Sequence, residues 1–202
     1  MLLLAVFVRF VAAGPTPPVI DLNGDAPGID FTATFTEDEG PEPIVSSAGL
    51  SISNGDDEVM TGARAALTAD PDLALESLSA DPGDTALNVK WYADSNELII
   101  KGTAPITDYL KVLRTLVYNN LSQSPDIADR TIVVTVSDGP QVSLPATATV
   151  AINAVNDAPV LDNSGDMSLM SINEDDVTSN GNSVTRIIES AQLEGQDRIT
   201  DV

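Results

Sequence analysis

The chain has neither cysteine nor histidine among its 202 residues. Without cysteine there are no disulfides and no thiolate-bound zinc. Without histidine there is no Ser-His-Asp triad and no imidazole general base. Aromatic residues make up 4%, and Trp91 is the single tryptophan. A core must therefore be built from Val, Ile, Leu and Ala, which suits thin β layers better than a deep aromatic-lined cleft. Basic residues are also scarce: 9 Lys and Arg stand against 31 Asp and Glu, a formal net charge of −22. Such a chain repels nucleic acid and anionic membrane surfaces, so neither binding to nucleic acid nor insertion into a membrane is expected. Neither a Gly-x-Ser-x-Gly elbow nor a phosphate-cradling glycine loop occurs. Hydrolysis by carboxylates alone remains chemically open, but no pair of acids is singled out.

Apolar residues make up 43% of the chain, enough for a real core. The length suits one domain of ordinary size and part of a second. The acidic residues gather at predicted strand ends. They read either as a solvated acidic surface or as ligands for cations, and an oxygen-rich, sulfur-free chain suits hard ions such as Ca2+. The segment Met1–Gly14 is a short apolar run ending in small residues, with Val11-Ala12-Ala13 placed like a cleavage region. It reads as a signal peptide or as a strand of a preceding repeat. Either way the expected location is extracellular, secreted or at the cell surface. Pro15-Thr16-Pro17-Pro18 is a linker by composition.

Beyond it the pattern is β. Thr32, Thr34 and Thr36 alternate with Ala33 and Phe35. Leu87, Val89 and Trp91 alternate too, and across Asp94-Ser95-Asn96 they pair as a hairpin with Glu97–Lys101. Ile106–Thr115 reads as a short helix capped by Thr107, with Asp108 favouring its dipole. A strand over 116–118 and two strong strands over 130–137 and 146–152 follow, with Asp138-Gly139-Pro140 turning between the last two. About seven strands and one helix predict an all-β sandwich of the immunoglobulin-like class.

An internal repeat organises the chain. Pro18-Val-Ile-Asp-Leu-Asn-Gly-Asp25 matches Pro159-Val-Leu-Asp-Asn-Ser-Gly-Asp166 at five of eight positions. Thr36-Glu37-Asp38-Glu39 then corresponds to Asn173-Glu174-Asp175-Asp176. The expected organisation is a leader and Pro-rich linker over 1–17, a β-sandwich repeat over 18–153, a joint over 154–160, and the truncated start of a second repeat over 161–202. That last stretch is too short to bury its own apolar face.

Four stretches carry a family resemblance: Phe35-Thr-Glu-Asp-Glu-Gly40, Thr107–Asn120, Asp129-Arg-Thr-Ile-Val-Val-Thr-Val-Ser-Asp-Gly139, and Val155-Asn-Asp-Ala-Pro-Val160. In this order they resemble cadherin-like tandem repeats of the bacterial adhesin type, related in pattern to chondroitin-sulfate-proteoglycan-type repeats. The resemblance implies a cadherin-like sandwich, Ca2+ at the junctions and a non-enzymatic structural or adhesive role. Its partners would be neighbouring repeats and cell-surface protein or glycan ligands. It assigns calcium to Glu37 and Asp38 with Asn156 and Asp157 of the joint. Glu174, Asp175 and Asp176 would serve the next junction. Asp138 matches the acid after the penultimate strand. Asp56 and Asp57 stand near the usual Asp-x-Asp but are adjacent, and Asn153 replaces an expected acid.

Other motifs read more plainly. Asp21-Leu-Asn-Gly-Asp25 starts like an EF-hand, but Ala26 and Thr32 occupy the positions that need Gly and Glu. Asn120-Leu-Ser122 is a glycosylation sequon. The alternative function is a carbohydrate-binding or spacer module of a secreted enzyme. It needs an exposed aromatic platform from Trp91, Tyr92, Tyr109 or Tyr118.

Overall fold

Period-two alternation becomes strand where it is strongest. The computed structural model describes residues 16–55, 59–158, 160–162, 174–175, 177–178 and 198–200. The backbone divides into two units, 1–154 and 155–202. The segment read as a signal peptide lies outside the described residues, as does most of 161–202.

Among its described residues the first unit is all-β apart from one helix and a single 3-10 turn. Its strands are β1 (Val19–Asp21), β2 (Phe31–Thr36), β3 (Glu42–Pro43), β4 (Ser51–Ser53), β5 (Val59–Leu67), β6 (Glu76–Ser79), β7 (Asn88–Tyr92), β8 (Glu97–Pro105), β9 (Val117–Asn120), β10 (Arg130–Ser137) and β11 (Ala146–Asn153). Six form the main sheet in the order β2-β11-β10-β5-β8-β7. A second sheet has the order β3-β9-β6, and β1 pairs with β4. All neighbours are antiparallel except β2 and β11, the first and last strands of the main sheet along the chain, which run parallel. In β10, Ile132, Val134 and Val136 are buried, and in β11 Ala146, Ala148 and Val150 are buried. Their alternate neighbours face outward. All three sheets feed one apolar core. The rings of Phe35 and Tyr118 meet edge to face at 5.3 Å between β2 and β9.

The predicted hairpin forms, with Trp91 opposite Leu98. One central strand carries no strand signal in its sequence. β5 lies between β10 and β8 although Gly62, Ala63, Ala65 and Ala66 are poor strand formers. Close packing inside the sheet overrides that propensity, and the register slips between Met60 and Gly62. Asp138-Gly139-Pro140 turns the chain as expected, but pairing with β11 resumes only at Ala146, beyond a bridge between Ser137 and Val142.

Helix α1 (Ile106–Leu113) starts two residues earlier than the Thr107 cap requires: Pro105 holds the cap position and no side chain caps it. Thr107 therefore sits within the first turn. Asp108 in the first turn and Lys111 in the last complement the dipole. Tyr109, Val112 and Leu113 are buried, and Tyr109 donates its hydroxyl to Gly102 O at 2.6 Å.

Burial pushes the phenols of Tyr109 and Tyr118 up to about 12. A raised native value means that stability is present below the unfolded value of 10.0 and lost as pH climbs from there to about 12. Absorbance at 295 nm should show these two tyrosines ionising together with unfolding in that window. Their ionisation near pH 10 in a folded chain would contradict their burial.

In the second unit, β12 (Val160–Asp162) pairs antiparallel with β13 (Arg198–Thr200), Leu161 opposite Ile199. β12 carries the sequence that matches β1. β1 likewise pairs over three positions, with Ile20 opposite Ile52.

Candidate cation sites and a buried ion network

The expected ligands of the first unit fall at opposite ends of the main sheet. Glu37 follows β2, where its N–H donates to Asn153 O at 3.0 Å at the exit of β11. Its side chain is not the solvated strand-end acid its position suggests: the residue is only 2% exposed. Asp38 adopts a left-handed conformation (φ 65) and is exposed; Gln123 Nε2 donates to its Oδ1 at 3.4 Å. Asp138 follows β10, which runs the other way. The two positions are separated by more than the roughly 20 Å that six strand residues cover.

At the Asp138 end, Oδ1 accepts from Gln141 N–H at 2.8 Å and Oδ2 from Asn54 Nδ2 at 3.3 Å. Asn54 Oδ1 is shielded from solvent and accepts no hydrogen bond among the described residues. Asp56, Asp57 and Asp176 lie outside the described residues.

In the second unit, Asn156 donates to Asp157 O at 2.7 Å, and Asp157 Oδ2 is shielded without a hydrogen-bond partner among the described residues. Glu174 and Asp175 are exposed in a turn. Among the described residues no three Asp or Glu side chains form a group that could hold a metal ion. The donor chemistry nevertheless suits Ca2+: a buried carboxylate at Glu37, and a shielded amide oxygen on Asn54 beside Asp138. These acids come singly or in pairs, so they do not by themselves complete six to eight oxygen ligands.

A different cluster gathers more charge. Arg130 is fully buried. Its Nε donates to Glu76 Oε1 at 2.7 Å, and a terminal nitrogen reaches Asp72 Oδ2 at 2.6 Å and Glu76 Oε1 at 2.7 Å. The other terminal nitrogen donates to the carbonyls of Asp126 and Ala128. Asp72 also accepts from Asn120 Nδ2 at 2.7 Å and Asp126 N–H at 3.1 Å. The network ties the segment before β10 to β9 and to the loop before β6. Glu76 is held above its ordinary 4.5, because desolvation outweighs the charge and hydrogen bond of Arg130. A sequence signal existed: Arg130 is in phase with Ile132, Val134 and Val136, so period two already sends it inward.

The sequon residue Asn120 belongs to this network. It is 6% exposed, and its Oδ1 accepts from Ser122 N–H at 2.9 Å. The Asp21 loop is an Asx turn, with Oδ1 accepting from Asn23 and Gly24 N–H, each at 2.9 Å. Of the four platform aromatics, Tyr109 and Tyr118 are buried and Trp91 packs half-buried against the core. Tyr92 is exposed, with Lys90 Nζ 4.6 Å from its ring centroid. Among the described residues no helix is long and apolar enough to cross a membrane. No protein-family model matches the chain, and no curated protein matches it.

Proposed function

We propose that the chain is part of a tandem array of cadherin-like, immunoglobulin-type β-sandwich repeats. Its role is structural and adhesive, outside the cell, and non-enzymatic. Ca2+ would stabilise it by neutralising acids at the repeat ends, with Glu37, Asp38, Asn156 and Asp157 as ligands of one joint. The observation that carries this reading is the placement of Glu37 at the exit of β2, where its N–H donates to the carbonyl of Asn153, the last residue of β11 and the one just before the joint in sequence. The repeat spanning Pro18–Asp25 and Pro159–Asp166 supports the tandem part independently.

The test is thermal unfolding of a protein carrying two complete repeats, with Ca2+ and with excess EDTA. Calcium at about 100 times its Kd adds about 2.7 kcal/mol, so chelation should lower Tm by about 5–10 °C. Glu37→Gln should remove most of that difference. An identical Tm in Ca2+ and EDTA would rule out the calcium role.

A further inference from the structure

We propose that Asn54-Gly55, at the exit of β4, is a built-in deamidation site whose acidic product sets a second carboxylate against Asp138. This goes beyond the structural role proposed above, and neither the reaction nor its test involves calcium. The chain contains three Asn-Gly pairs: Asn23-Gly24, Asn54-Gly55 and Asn180-Gly181. The last lies outside the described residues. The first two share the same sequence chemistry, and the fold treats them differently.

In such a pair the glycine nitrogen loses its proton to solvent and attacks the asparagine Cγ. The Cγ–Nδ2 bond breaks, and ammonia leaves with a proton that balances the one the glycine lost. A five-membered succinimide remains. Water then adds to one of its two carbonyls and breaks that carbonyl's bond to the ring nitrogen. Opening at Cγ gives aspartate, and opening at the backbone carbonyl gives isoaspartate. The balance is one water consumed and one ammonia released. Glycine favours the attack because it has no Cβ to hinder the approach, and asparagine is among the thermolabile residues.

At Asn23-Gly24 both reacting groups are held. Asn23 Nδ2 donates to Asp30 O at 2.7 Å and to Pro27 O at 3.4 Å. The attacking nitrogen is also engaged, since Gly24 N–H donates to Asp21 Oδ1 at 2.9 Å. Reaction there requires the loop to open first. At Asn54-Gly55 a single bond holds the amide, Nδ2 to Asp138 Oδ2 at 3.3 Å, which is long for such a bond. Gly55 is exposed, and its N–H has no hydrogen-bond partner among the described residues. Once Nδ2 has left, the donor that faced Asp138 is replaced by a like charge, which is destabilising at this separation. Asp138 Oδ1 accepts from Gln141 N–H at 2.8 Å, so the repulsion falls on the turn that leaves β10.

The test is incubation of the full chain in warm, mildly alkaline EDTA buffer, followed by peptide mapping with mass spectrometry and isoaspartate detection at each pair. In the folded chain position 54 should convert at least about tenfold faster than position 23, and in urea the two rates should converge. Gly55→Ala should slow conversion severalfold with Tm little changed, because the added Cβ meets only Thr16 Oγ1, at 3.2 Å. Asn54→Asp reproduces the product and should lower Tm. Adding Asp138→Asn to it restores one donor to the pair and should recover most of that loss. The proposal is overturned if positions 54 and 23 convert at equal rates in the folded chain, if Gly55→Ala converts as fast as the parent, or if Asn54→Asp leaves Tm unchanged. Because every arm is run in chelator, the outcome is separate from the calcium dependence of Tm.

Discussion

Arg130→Met should lower the free energy of unfolding by about 3–5 kcal/mol, read as a fall in the urea midpoint at unchanged m-value. The cost comes less from the lost bonds than from what they leave behind. Glu76 is 3% exposed, and Asp72 would keep only its amide donors from Asn120 and Asp126. Arg130→Lys should recover little, because an ammonium cannot span both acids and two carbonyls as the planar guanidinium does. The deficit should depend on pH in a definite direction. The native carboxyl of Glu76 already lies above 4.5, and removing its cation raises it further. A raised carboxyl contributes stability that is present below the unfolded value and lost as pH rises through the native one. The variant should therefore be least impaired near pH 4 and most impaired at neutral pH. A deficit below about 1 kcal/mol, or one that grows on acidification, would mean that the network does not hold this end together.

Gly24→Ala should be nearly as damaging, at about 2–5 kcal/mol, from a left-handed backbone and from overpacking. Gly24 has φ +74, and a Cβ there would sit 2.4 Å from Gly49 Cα and 2.7 Å from Gly49 O. Both are backbone atoms, so neither can step aside cheaply. Two other glycines separate the contributions. Gly28 has φ +88 with nothing within 4 Å of its added Cβ, so Gly28→Ala should cost only the conformational part, about 1–2 kcal/mol. Gly49 has no positive φ, but its Cβ would meet Asn23 O, Gly24 Cα and Ser46 Oγ, each at 2.9 Å. Gly49→Ala should therefore report the steric part. Equal losses in Gly24→Ala and Gly28→Ala would show that the two loops are not in contact. Ser46 N–H donates to Leu22 O at 2.7 Å beside this contact, so the same substitution should also disturb the Asp21 Asx turn.

Much of the β framework was legible because its strands are half-buried. β2 alternates in sequence, β8, β10 and β11 are rich in apolar or β-branched residues, and all four alternate in burial. β5 was not legible, because its Ala and Gly residues carry no strand signal and its place is set by neighbours over 30 residues away. The helix was legible by its apolar face, but its start was not: a proline took the position that a hydroxyl residue usually fills. Among the acids, position along the chain said nothing about depth. Glu37 and Asp38 are consecutive, yet one is buried and the other exposed. Arg130 and Asp72 meet across 58 residues of sequence, a pairing that only the closed sheets create.

The parallel pairing of β2 with β11 also bears on mechanical load. Their six register pairs, from Phe31 with Ala148 to Thr36 with Asn153, join the first and last strands of the main sheet along the chain. Tension applied through the two ends of the unit pulls these strands in opposite directions along their common axis. Their ladder bonds then carry the force in shear, all together, and cannot be unzipped one at a time.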